Sequence, residues 1–138
     1  MKAVKLFAIL MVLGFTGCVT IDYKDFKPVY YVINQSDQTI DLVYTLRQEI
    51  AVQGFKQTDT IEINVCDTAA IEMLGPLEME RECRPSAMFS NIKFVTKSGK
   101  VIKEMSSIND KEWTDFNIAK GRYMDLWAYG WLYEFKEE

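Results

Sequence analysis

The chain of 138 residues contains no histidine. That absence excludes Ser-His-Asp and Cys-His nucleophilic sites, HExxH zinc proteases and His-rich metal sites. Glycine is sparse at 7 residues, and no GxGxxG, P-loop or EF-hand spacing occurs. No run of lysines or arginines stands anywhere along the chain, and 16 basic residues against 20 acidic ones leave a net charge of −4. An acidic chain without a basic cluster has no electrostatic footprint for DNA or RNA. It also has no polybasic segment to hold an anionic membrane. Chemistry is left to carboxylates, tyrosines and lysines, with no cofactor motif and no metal-ligand set. A binding or structural module is therefore expected rather than an enzyme.

The chain also lacks an apolar run long enough to span a bilayer. The longest, Leu6 to Phe15, is too short for a transmembrane helix. It follows Lys2 and Lys5 and precedes the small residues Thr16 and Gly17, which is the layout of a secretory signal peptide. Domain organisation follows from this: a signal over residues 1–17, a polar and aromatic tether over 18–27, and a single domain over 28–138. Removing Lys2 and Lys5 with the signal shifts the net charge from −4 to −6. The remaining length suits one domain with its own hydrophobic core.

Phe15-Thr16-Gly17-Cys18 resembles the lipobox of bacterial lipoproteins. The resemblance implies cleavage before Cys18, acylation of that cysteine with chains such as palmitate, and attachment to a membrane of the bacterial envelope. The outer membrane is favoured over the inner, and either face of it is open. Two or more acyl chains make such an anchor stable, because each buried methylene contributes about 0.8 kcal/mol.

Cysteine is otherwise rare. Besides Cys18 there are Cys66 and Cys83. In an exported chain two such residues most often pair, since the compartment is oxidising, and a disulfide is the favoured expectation. The alternative is a reactive thiol, which needs a basic and partly exposed setting. Arg81 and Arg84 flank Cys83, but Glu80 and Glu82 offset them.

What the chain has in quantity is short β-type segments. Residues 28–34 (PVYYVIN) are rich in β-branched and aromatic side chains, and turn residues follow over 35–38. Residues 39–46 (TIDLVYTL) alternate, with Ile40, Leu42, Tyr44 and Leu46 on one face, and the two segments read as a hairpin. Residues 60–66 alternate in the same way, with Ile61, Ile63 and Val65 aligned. Residues 69–74 (AAIEML) read as a short helix capped by Asp67 or Thr68 and stopped by Gly75-Pro76. Residues 91–97 and 100–105 flank Ser98-Gly99, a connection suited to a tight hairpin. Residues 109–116 suit a helical turn or two behind an Asn109 cap. The pattern predicts an all-β fold, an antiparallel β-sandwich (immunoglobulin-like or related) with one or two short helices. The run Val32-Ile33-Asn34-Gln35-Ser36-Asp37-Gln38-Thr39-Ile40 is also similar to the opening I/V-x-N-x-S-x-x-x-I motif of small envelope lipoproteins common in Bacteroidetes.

Residues 122–136 (RYMDLWAYGWLYEFK) are the densest apolar stretch. If extended, Tyr123, Trp127, Tyr129, Trp131, Tyr133 and Phe135 share one face. Aromatic faces stack on sugar rings, so Trp127, Tyr129, Trp131 and Tyr133 are candidates for a glycan platform. The favoured reading is a core strand, because buried aromatics dominate sandwich interiors. Trp113 and Phe116 are expected beside them. Glu78, Glu80 and Glu82 lack the Asp/Asn/Gly loop that a calcium site needs and read as a solvated loop. Asp110, Glu112 and Asp115 read as surface carboxylates rather than a glycosidase pair. The function expected is that of a lipid-anchored envelope interaction or structural module with a protein partner. A glycan-binding module is the alternative, and a carboxylate-based hydrolase the least favoured.

Overall fold

The computed structural model describes residues 28–73, 83–117 and 129–137. Among them are eight strands: β1 (Val29–Asn34), β2 (Ile40–Leu46), β3 (Thr58–Ile63), β4 (Thr68–Glu72), β5 (Phe89–Thr96), β6 (Val101–Met105), β7 (Thr114–Asn117) and β8 (Tyr129–Phe135). Two four-residue helices, α1 (Gln48–Ala51) and α2 (Pro85–Met88), and a 3-10 turn at Asp110–Glu112 join them. One sheet has the order β4-β1-β8-β7 and the other β3-β2-β5-β6. The fold is an all-β sandwich. Every strand pair is antiparallel except β1 with β8, which run parallel from Val29↔Gly130 to Asn34↔Phe135. A parallel pair needs a long connection, and here the whole intervening chain supplies it.

The period-2 pattern accounts for the core. β2 turns Ile40, Leu42 and Leu46 fully inward, with Tyr44 half-buried beside them. β1 contributes Tyr30 and Val32, β5 contributes Ile92 and Phe94, and β8 contributes Trp131, Tyr133 and Phe135. Rings carry the packing between sheets. Phe94 of β5 stacks on Phe135 at 4.2 Å and on Tyr133 at 5.7 Å, so β8 lies over β5. At the other end Tyr30 meets Phe89 edge-on at 4.9 Å, and Trp113 stacks on Phe89 at 6.2 Å. Such pairs add about 0.5–1.5 kcal/mol beyond the apolar area they bury.

β1 and β2 do not form the expected hairpin. They lie in different sheets, and residues 35–39 carry the chain across the core edge from one to the other. Asn34 makes the difference. Its side chain points inward with 0 % exposure, and its amide nitrogen donates to the carbonyls of Gln38 (2.8 Å), Ile63 (3.1 Å) and Asn64 (3.2 Å). Its Oδ1 accepts from the Ser36 amide (3.0 Å) and the Ser36 hydroxyl (2.6 Å). The side chain thus bonds the far end of β3, which belongs to the opposite sheet. A second crossing, from β3 to β4, is tied to the same residue by the Asn34 amide on Asp67 O (2.9 Å) and the Cys66 amide on Asn34 O (3.0 Å).

Residues 68–72 are strand β4, not the helix expected there. Their helix-forming composition is overridden by pairing with β1 from Thr68↔Ile33 to Glu72↔Val29. Ala69, Ile71 and Met73 are buried and Thr68, Ala70 and Glu72 exposed, a period of two that five residues satisfy as readily as a helical turn. Val65 is exposed, because β3 ends at Ile63 and Val65 sits in the turn. The β5–β6 connection holds four residues, 97–100, rather than two. Thr96 N donates to Lys100 O (2.8 Å) and Gly99 N to Thr96 O (2.9 Å), with Gly99 at φ 88°. That is a turn closed by a left-handed glycine. Asn109 does cap, accepting from Lys111 N at 3.1 Å, but only a 3-10 turn follows before β7. Both α-helices fall elsewhere than expected.

Removing the Asn34 amide leaves buried carbonyls of two strands without donors. Asn34→Ala is expected to lower the unfolding free energy by about 2–4 kcal/mol, and Ser36→Ala by about 1 kcal/mol. Urea titrations of both variants measure this, and equal losses in the two would contradict the account.

Candidate functional site

The residues singled out from sequence separate into three groups. Cys18, the tether, Glu78, Glu80, Glu82 and Trp127 lie outside the described residues. Trp131 and Tyr133 are described and face the core, at 8 % and 4 % exposure. Tyr129 opens β8 opposite Asn117, and only its backbone is described. Two of the four aromatics proposed for a glycan platform therefore fill the space between the sheets. Trp113 is buried too, tilted against Tyr133 at 5.2 Å, and its indole N–H makes no hydrogen bond.

No disulfide joins Cys66 to Cys83 in the structure. Cys66 is exposed in the turn after β3, its amide on Asn34 at the end of β1. Cys83 is buried near the start of β1, where its carbonyl accepts from the Tyr30 hydroxyl at 2.7 Å. Four strand residues separate Tyr30 from Asn34, roughly 13 Å at 3.3 Å per residue. A disulfide needs Cα atoms within about 7 Å.

The carboxylates of residues 110–115 do not converge. Asp110 accepts from the Ser86 amide (2.8 Å) and hydroxyl (2.6 Å), fastening α2 to the 3-10 turn, while Glu112 and Asp115 are exposed. Among the described residues no group of three or more His, Cys, Asp or Glu side chains could hold a metal ion.

The two outer faces differ in chemistry. On the β3-β2-β5-β6 sheet most outward residues are polar and many are mutually bonded, although Val43, Val95 and Val101 also point outward. Thr45 pairs with Thr58 at 3.2 Å, and Asn91 donates to Glu104 at 2.9 Å. Asp41 and Glu62 face each other in register, and Lys97 from the β5–β6 turn bonds both, reaching Asp41 at 2.6 Å. Hydrogen bonds that Lys97 donates to Asp41 and then to Glu62 raise its pKa, so this contribution is present at neutral pH and is lost as pH rises through that raised value. The Asn91 bond, then the Lys93 pair, holds Glu104 below the usual carboxylate range.

The β4-β1-β8-β7 sheet is different. Val29, Tyr31 and Ile33 of β1 and Leu132 of β8 point outward and are half-buried. Phe116 is 37 % exposed and stacks on Tyr31 at 5.8 Å. Phe116 registers with Gly130, whose missing side chain leaves the row open for the ring to reach β1. The β7–β8 register runs through Gly130 without a shift. This apolar strip and an open corner between β6 and β8 are the surface features that the sequence did not reveal. The outward row of β1 was readable as apolar, but which rows shared a sheet was not.

Comparison with known protein families, curated proteins and solved structures finds no match to this chain.

Two measurements test the placement of these residues. In a Trp127→Phe chain, Trp113 and Trp131 are expected to resist iodide quenching until denaturant is added, and quenching like free tryptophan would refute their burial. In a Cys18→Ala chain, one thiol is expected to react with a colorimetric disulfide reagent in the native state and the second only on unfolding. Two unreactive thiols released by reductant would instead show a disulfide.

Proposed function

We propose that this chain is a lipid-anchored bacterial envelope protein whose sandwich serves as a non-catalytic interaction module for another envelope protein. The observation that carries the reading is the apolar outer strip of Val29, Tyr31, Ile33, Leu132 and Phe116, set against an opposite face on which polar and charged side chains predominate. A contiguous apolar face is the ordinary chemistry of a protein contact. Burial of Trp131 and Tyr133 supports a protein partner over a glycan, since both rings are committed to the core. Attachment is supported by Lys2, Lys5, the apolar run and Phe15-Thr16-Gly17-Cys18.

The test combines the two halves. Cys18→Ala is expected to abolish palmitate labelling and move the protein to the soluble fraction. Membrane retention without label would overturn the anchoring. A photo-crosslinking residue at position 31 is expected to capture a discrete envelope protein that soluble glycans do not displace. The same residue at position 43, on the polar face, is expected to capture nothing. Equal capture from both positions would overturn the interaction surface.

A further inference from the structure

One corner of the sandwich is open. β7 begins at Thr114, opposite Leu132, so among the described residues β8 has no strand neighbour on that side from Tyr133 to Phe135. Across the core, β6 is the last strand of its sheet. Between these free edges is a cleft of about 380 Å³, lined by Lys100, Val101, Ile102, Lys103, Phe135, Lys136 and Glu137. The lining residues are consecutive in each strand rather than alternate. The cleft is therefore bounded by strand edges, not by a sheet face.

Its charge runs against that of the chain. Three lysines meet one carboxylate here, in a protein of net charge −4. Glu137 accepts from the Gln38 side chain at 3.0 and 3.2 Å, and Lys136 lies 3.6 Å from Glu134. Lys103 is registered with inward-facing Phe94, and its ammonium sits 5.6 Å above the Tyr133 ring at the mouth of the core. A cation held over an aromatic face keeps a defined position at the cleft.

We propose that this cleft binds a phosphate group. Lysine ammoniums are compact point charges that suit a tetrahedral, multiply charged anion, and the planar fork favouring a carboxylate would come from arginine, which is absent from the lining. A peptide strand is disfavoured. The β5–β6 ladder shifts register between Phe94 and Val95, and an inward lysine on an edge strand obstructs strand addition. The volume falls at the small end of ligand pockets, about 300–1,000 Å³. The phosphate could come free in solution or on a lipid headgroup, and the chemistry of recognition is the same. The inference does not depend on the anchoring of Cys18.

Amide chemical shifts of the full chain in a neutral detergent, titrated with sodium phosphate and separately with sodium chloride at matched ionic strength, test the proposal. Phosphate is expected to move the amides of residues 100–103 and 135–137 and to leave those around Lys56 and Lys93 in place. Lys100→Gln and Lys136→Gln are each expected to weaken binding by up to about fivefold, the scale of one exposed charge pair. Glu137→Gln is expected to tighten it. Phosphatidylglycerol vesicles that bind the chain, with loss in Lys100→Gln and none to phosphatidylcholine, would assign a lipid source. Phosphate binding without vesicle binding would assign a soluble one. Identical shifts with chloride, or shifts spread over every exposed lysine, would overturn the proposal. So would phosphate binding that is unchanged when Lys100, Lys103 and Lys136 are all replaced by Gln.

Discussion

The Asn34 side chain is the interaction on which the rest of the architecture depends. It sits where two sheet crossings run side by side, and its one amide group serves five hydrogen bonds on both of them. The backbone of the same residue is bonded by Asp67 and Cys66, and the Gln35 amide donates to Phe135 at the end of β8. Buried polar groups are costly when unpaired, so a saturated amide at this point specifies one arrangement of the strands over others. A hairpin of β1 and β2 would take Asn34 out to solvent and leave the carbonyls of Ile63 and Asn64 without their donor. The I/V-x-N-x-S-x-x-x-I pattern thereby acquires a physical meaning. Val32 and Ile40 are core residues of opposite sheets, while Asn34 and Ser36 build the bridge between them.

From that bridge follows the division of surfaces. Sending β1 and β2 into different sheets places Tyr31 and Val43, both outward-facing, on opposite sides of the molecule. One side becomes a lattice of threonines and ion pairs in which Lys97 relieves the repulsion of Asp41 and Glu62. The other keeps apolar residues outward. Trp131 and Tyr133, which looked most like a ligand platform, face the core instead, and the rings of Phe135, Phe94, Tyr133, Trp113, Phe89 and Tyr30 stand there in successive contact. The short β7 then leaves one corner uncovered, and lysines from distant parts of the chain meet there.

Much of the strand content was legible. The inward row of β2 was readable residue by residue, because alternation of apolar and polar side chains is a local property of a half-buried strand. The Asn109 cap was readable for the same reason. β4 was not, since Ala69 to Leu74 carries good helix formers and only pairing with β1 reveals the alternation. Nor was the fate of Cys66 and Cys83, where an argument from compartment met two ends of a sheet. The lysines of the corner cleft lie at 100, 103 and 136 and form no cluster along the chain.

By itself the sequence determined the all-β class, the exclusion of histidine chemistry and the inward row of β2. Composition and short-range periodicity suffice for these, because each depends on neighbours a few positions apart. Tertiary structure alone decided which strands share a sheet, which apolar rows face outward, where the cysteines stand and which charges meet. Those are long-range pairings, and one buried asparagine outweighs the local preference of two adjacent strands to fold back on each other.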